Sequence, residues 1–172
     1  MGASLGIVGK GDSGGGVGAM AEALGRTVLY ADRKGSSTPR AGYVPFEEVL
    51  ARSDVLTLHC PLTPQTQQLI NLQALAQMKP SAWLINTARG GLINETELAH
   101  ALRQGVIAGA ALDVLSSEPP AADHPLLQAD VPNLLLTPHI AWASQQGVTN
   151  LLRGIEANLD GFAQGNPSHV VS

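Results

Sequence analysis

The chain has 172 residues, 10 Lys and Arg against 14 Asp and Glu, a formal charge of −4 and one cysteine. That length suits a single domain of about 100–200 residues with a proper core, and the mild acidity excludes a basic nucleic-acid footprint. The lone Cys60 excludes a disulfide framework or a cysteine-held metal, and no apolar run reaches the ~20 residues of a membrane helix. Strand-like sequence close to Met1 leaves no room for a signal peptide, so a soluble chain of the cytoplasm is expected.

Residues 1–4 read as a cloning scar ahead of a first strand at Leu5–Val8. A glycine-rich connection then opens a helix with Val17, Met20, Ala21 and Leu24 on one stripe and Gly25 as its stop. Thr27–Ala31 is a second strand, and Pro45 opens a short helix with Phe46, Val49 and Leu50 inward. A strand at Val55–Leu58 is followed by a helix around Asn71–Met78, ending before Pro80. After a strand at Trp83–Ile85, Asn94 and Glu97 form a capping box for a helix carrying Leu98, Ala101 and Leu102, which Gly105 stops.

A strand at Ile107–Leu112 precedes a proline-rich loop over 116–132, of a kind that often carries function. The last strand is Leu134–Leu136, and the longest helix, over 144–164, has Val148, Leu151, Leu152, Ile155, Leu159 and Phe162 on one stripe. The strands are near-continuously apolar, so both sheet faces are covered, which is the parallel case. Strands alternating with helices predict an α/β fold: a doubly wound parallel sheet of about six strands, the Rossmann dinucleotide-binding fold. The whole of 1–172 reads as one domain.

Gly9-Lys10-Gly11-Asp12-Ser13-Gly14 fits G-x-G-x-x-G, directly after a predicted strand and opening a predicted helix, as the motif requires. Its glycines allow a tight turn and close approach of a pyrophosphate, and the helix N-terminus offers N–H groups and positive dipole charge. Asp32 ends the second strand about 20 residues on, where a carboxylate accepts ribose hydroxyls and repels a 2′-phosphate. Arg33 and Lys34 beside it could instead hold that phosphate.

Further motifs follow in order: Leu58-His59-Cys60-Pro61-Leu62-Thr63, Ile85-Asn86-Thr87-Ala88-Arg89-Gly90-Gly91, Ala111-Leu112-Asp113-Val114, Glu118-Pro119-Pro120 and Thr137-Pro138-His139-Ile140-Ala141-Trp142. With these the chain resembles the cofactor domain of the D-2-hydroxyacid dehydrogenases, most of all the glycerate dehydrogenase (hydroxypyruvate reductase) branch. The resemblance implies that Arg89 grips a substrate carboxylate, that Glu118 orients His139 and that His139 moves the proton. It also implies NAD contacts from Gly9, Gly11, Asp12, Ser13, Gly14, Asp32, Cys60, Thr87, Ala88, Asp113, His139 and Ala141.

The residue types agree with those roles. Arg89 follows a strand's C-terminal end, and a guanidinium fits a carboxylate bidentately. A carboxylate on one imidazole nitrogen fixes the tautomer and keeps a proton available near neutral pH. From the residues alone, Asp123 could serve as the partner as well as Glu118. His100, His124 and His169 read as surface residues, His59 as packed, and Cys60 as a small buried hydrophobe. No ligand pair has the spacing of a metal site.

The family's front lobe has no counterpart here, so residues 144–172 read as a helix and tail directed toward a missing substrate lobe. Ser13 stands where the family carries a larger aliphatic residue, and Gly15, Gly16 and Gly18 together predict a loosened phosphate loop. The expected partner is a small 2-hydroxy or 2-keto acid, with neither nucleic acid nor membrane, and a homodimer stays open. A module that binds NAD without turnover is the alternative. A nucleotide-binding domain for S-adenosylmethionine would explain neither Arg89 nor His139.

Overall fold

The computed structural model describes residues 2–36 and 38–170. It divides into two units, 1–138 and 139–172. The first holds six strands, β1 (Ser4–Val8), β2 (Thr27–Ala31), β3 (Val55–Leu58), β4 (Trp83–Asn86), β5 (Gly109–Leu112) and β6 (Leu134–Leu136). They form one parallel sheet in the order β2-β1-β3-β4-β5-β6. Val44 adds a single parallel bridge to Ala31 on the outer edge of β2, a vestigial strand that completes the doubly wound order. The order reverses between β1 and β3, so their C-terminal ends open the crevice where such sheets bind ligands.

Helices α1 (Asp12–Ala23), α2 (Phe46–Arg52), α3 (Leu72–Leu75) and α4 (Glu95–Arg103) connect the strands. The core runs through Ile7, Leu56, Leu58, Leu84 and Ala110 on the sheet, with Phe46, Val49, Leu50, Leu98 and Ala101 from the helices. Three strands keep the predicted bounds. β1 gains Ser4, whose N–H and hydroxyl bind Asp54 at 2.7 and 2.8 Å, so Ser4 belongs to the sheet and not to a leading tail. β4 gains Asn86, and β5 starts only at Gly109, although Ile107 is buried ahead of it.

α1 presents a different face from the predicted one. Gly14, Gly18 and Ala21 are buried, whereas Met20 and Leu24 are exposed. The reason is backbone proximity: a Cβ on Gly14 would lie 1.9 Å from the Gly9 carbonyl oxygen, and one on Gly18 would lie 1.9 Å from the Tyr30 hydroxyl. The helix closes as expected at Gly25 (φ 72°), with Gly25 N–H bonded to Glu22 and Arg26 N–H to Ala21.

The capping box at Asn94 is only half formed. The Asn94 side chain accepts the Glu97 N–H at 3.2 Å, but Glu97 turns away to take the Leu72 N–H at 2.5 Å. That bond caps α3, which is shorter than the predicted 71–78 helix. His124 is not a surface residue either. Its side chain is 10% exposed and its Nε2 meets Glu95 Oε2 at 3.0 Å. Glu95 also accepts the Ser116 N–H and hydroxyl, so one buried carboxylate on α4 clasps the long loop, which Leu126 anchors in the core.

The second unit is mainly α5 (Gln145–Ala163), capped by the Ser144 hydroxyl, which accepts the Gly147 N–H at 3.0 Å. Its predicted stripe exists, but none of its residues is buried. No helix among the described residues is long and apolar enough to cross a membrane.

Candidate functional site

The three motif glycines hold three different positions. Gly9 has φ 101°, and a Cβ there would lie 2.6 Å from the Cys60 nitrogen, so only glycine fits the turn from β1 into α1 where it packs against the chain leaving β3. Gly14 packs on Gly9, as above. Around Gly11 an added Cβ would meet nothing within 4 Å. Gly11 is also the N-cap of α1 and offers no side chain to cap it. The turn is therefore closed behind by Gly9 and Gly14 and open in front at Gly11. The first-turn N–H groups of Asp12 and Ser13 border that space, an arrangement that fits a pyrophosphate.

A cleft of about 850 Å³ begins there. It is lined by Asp12, Ser13, Val17 and Met20 from α1, by His59 and Cys60 after β3, and by Thr87, Ala88 and Arg89 after β4. Val17 and Met20 thus line the cleft instead of the core. Burial pushes the Cys60 thiol up and His59 down, so both favour their neutral forms. His59 Nε2 lies 3.1 Å from the Thr57 hydroxyl. Cys60 packs against the core, as a small hydrophobe would.

The turn that carries Arg89 is held by Asn86, whose place in the motif alone does not reveal a role. Asn86 is fully buried; its Oδ1 accepts the Ala88 N–H at 3.0 Å and its Nδ2 donates to the Arg89 carbonyl at 2.9 Å. Arg89 itself is exposed, with Nη1 donating to the Ala88 carbonyl at 2.6 Å. Gly90 is buried under the backbone of Leu115 and Ser116.

Asp32 lies just past β2 and is buried, with its carboxyl held at about 2, well below the ordinary 3.8. The largest cause is Arg40, through its backbone N–H to Oδ2 at 2.7 Å and its Nε to Oδ1 at 2.8 Å; the Arg33 N–H adds a bond to Oδ1 at 2.8 Å. Arg40 went unnoticed in the sequence because an irregular loop, with no periodicity to reveal the contact, separates it from Asp32.

Asp113 is buried at the end of β5, where its N–H binds the Asn86 carbonyl and its Oδ1 accepts the Thr137 hydroxyl. Glu118 is exposed in the long loop, and its Oε1 accepts the Leu115 N–H at 2.8 Å. In the second unit His139 is exposed with φ 55°, a left-handed conformation uncommon outside glycine, and its carbonyl accepts the Trp142 indole N–H at 2.9 Å. Ala141 is exposed beside it. Among the described residues no group of His, Cys, Asp and Glu could hold a metal ion.

Residues 1–141 match the family model of the D-isomer specific 2-hydroxyacid dehydrogenases, in its NAD-binding domain. The chain belongs to that family. It is 51% identical over 165 residues to a putative 2-hydroxyacid dehydrogenase of Haemophilus influenzae, covering 95% of this chain and 52% of the relative. It is 46% identical over 170 residues to the glycerate dehydrogenase of Methylorubrum extorquens, covering 99% and 53%. A solved NAD-complexed D-isomer specific 2-hydroxyacid dehydrogenase from Lactobacillus delbrueckii ssp. bulgaricus superposes with a TM-score of 0.84 at 31% identity, over 99% of this chain and 56% of that one. The chain therefore spans about half the length of the relatives it matches. Within this domain, Gly18 departs from the expected loosening: it is a packing residue under Tyr30, whereas Gly15 and Gly16 of that trio stand in open space.

Proposed function

We propose that this domain binds NAD(H) and serves hydride transfer between nicotinamide and a small D-2-hydroxy acid or its 2-keto acid, with glycerate and hydroxypyruvate, or glyoxylate, as the substrate class. The observation that carries the reading is the start of α1 at Gly11, which has no side-chain cap and whose next residues, Asp12 and Ser13, line the cleft that ends at Arg89. The Gly9–Gly14 turn, with Asp12 and Ser13, would hold the pyrophosphate and Asp32 the adenosine ribose. Cys60, Thr87, Ala88, Asp113, His139 and Ala141 are assigned the remaining contacts. When bound, the dinucleotide supplies the hydride at nicotinamide C4.

The other steps fall to side chains. Arg89 binds the substrate carboxylate through its planar fork, as a lysine could not. His139 gives a proton to the substrate oxygen, or takes it back in the reverse direction, and Glu118 fixes its tautomer. The left-handed backbone at His139 supports a functional role, since such conformations concentrate at sites that need a set geometry. The lone thiol of Cys60 fits a reducing compartment, and the cytoplasm is the proposed location. A fluorescence titration of the chain with NADH tests the reading. Saturable binding not displaced by S-adenosylmethionine is expected, and absence of binding overturns it.

A further inference from the structure

Asp32 is covered. Its side chain is only 2% exposed, whereas that of its partner Arg40 is 53% exposed. Arg40 engages the carboxylate through its backbone N–H, Nε and Nη2, the last at 2.7 Å, which leaves the Nη1 edge of the guanidinium for another anion. The group is braced from the side, since its central carbon sits 4.0 Å from the centre of the Tyr43 ring. Lys10, from inside the glycine turn, lies 4.1 Å from the Tyr30 ring and 5.9 Å from the same Tyr43 ring. Arg33 reaches Asp32 through its backbone N–H, and Lys34 lies over Phe46 at 5.9 Å. Arg40 is therefore the cation that meets the carboxylate with its side chain. Glu22 also faces Tyr30, from α1.

We propose that Arg40 is a specificity-determining residue for the adenosine end of the cofactor: it neutralises Asp32, offers its free edge to a 2′-phosphate, and so makes NADP(H) a ligand of this domain beside NAD(H). The proposal rests on the reading that Asp32 faces the adenosine ribose. An unpaired aspartate there repels a 2′-phosphate, whereas a guanidinium bonds it in charge-assisted fashion. The ion pair converts the first situation toward the second without changing Asp32.

The test is a parallel titration of the chain with NADH and NADPH, for wild type, Arg40→Gln, Arg40→Lys and Asp32→Ala, with thermal melts to confirm folding. Arg40→Gln should weaken NADPH by about tenfold or more, the loss expected for one charge-assisted contact, while NADH binds as well or better once Asp32 is uncovered. Arg40→Lys keeps the charge but loses the planar fork that meets Asp32 and the phosphate together, so it should weaken NADPH less than Arg40→Gln does without restoring the wild-type value. An unchanged NADPH-to-NADH ratio in Arg40→Gln overturns the proposal, as does failure of the wild-type chain to bind NADPH saturably. Asp32→Ala separates the two failures. If it shifts the ratio toward NADPH while Arg40→Gln shifts nothing, the role of Arg40 is wrong and the ribose assignment stands. If it shifts nothing, the ribose assignment is wrong and the proposal falls with it.

Discussion

Gly90 and Leu115 are packed backbone against backbone: a Cβ on Gly90 would lie 1.9 Å from the Leu115 carbonyl carbon. Gly90 follows Arg89, and the Leu115 N–H is bonded by Glu118, so this contact seats the arginine turn against the loop that carries the glutamate. Neither backbone can give way as a side chain would. Gly90→Ala should therefore destabilise at the upper end of overpacking, about 3 kcal/mol. At roughly 2–4 °C per kcal/mol for a chain of this size, the melting temperature should drop by about 6–12 °C. A variant that melts with the wild type would show that this packing does not hold the two segments.

The helix of the glycine turn allows an internal comparison. Gly15 has open space around its missing Cβ, whereas Gly14 faces the Gly9 carbonyl at 1.9 Å. Gly15→Ala should raise stability by roughly 0.5–1 kcal/mol, the helix-propensity gain over glycine. Gly14→Ala should lower it by about 1–3 kcal/mol and weaken NADH binding as well, because the turn that shapes the Gly11 space is displaced. Urea unfolding of both variants checks the signs, and a stabilised Gly14→Ala would refute the packing role.

The strands were legible in the sequence because burial on both faces leaves near-continuous apolar runs such as Val55–Leu58, and α2 was legible because Pro45 and its apolar stripe agree. The buried face of α1 was not, since Gly14 and Gly18 carry no hydropathy and close packing cannot be read from absent side chains. The same holds for pairings across sequence. His124 and Glu95 stand 29 positions apart, and Arg40 and Asp32 stand 8 apart across a loop, with no periodicity to connect either pair. The glycine turn and Arg89 were legible because their motif and strand context coincide, while the buried Asn86 that fixes the arginine turn shows its role only through its two hydrogen bonds.

Asp54 links β1 to the turn before β4, taking the Lys79 ammonium on Oδ1 at 2.7 Å and the Ser4 N–H on Oδ2 at 2.7 Å. Lys79 is the largest cause that holds this carboxyl at about 2 against an ordinary 3.8. A folded-state value below the unfolded one means stability that is fully present above the unfolded value and lost as pH falls toward about 2. Asp32, depressed to about 2 by Arg40, acts in the same window. Asp54→Asn should lower the melting temperature at neutral pH, and its melting curve should converge with that of the wild type as the pH is taken through that window. Parallel curves at all pH values would show that the pair contributes nothing.

The last prediction separates binding from turnover: the chain should bind NADH and reduce hydroxypyruvate poorly or not at all. The glycine turn, the cleft and Asp32 all lie within the first unit, so the proposed pyrophosphate and ribose contacts come from that unit alone. Turnover needs a 2-keto acid held in a near-attack geometry, and such positioning is worth about 7–11 kcal/mol of barrier. Here Arg89 is exposed, and water competes for any carboxylate it meets. The apolar stripe of α5 is exposed as well, from Val148 at 37% to Phe162 at 76%. The relatives are about twice as long as this chain, so they have further sequence with which to close a substrate site. A steady-state assay of NADH absorbance with excess hydroxypyruvate, run beside a titration on the same sample, decides it. A rate near the ~10 s⁻¹ typical of enzymes would place a complete substrate pocket within this chain or its self-association. Binding without turnover would instead mean that Arg89 and His139 need a closing segment to exclude water before the proton and the hydride can move.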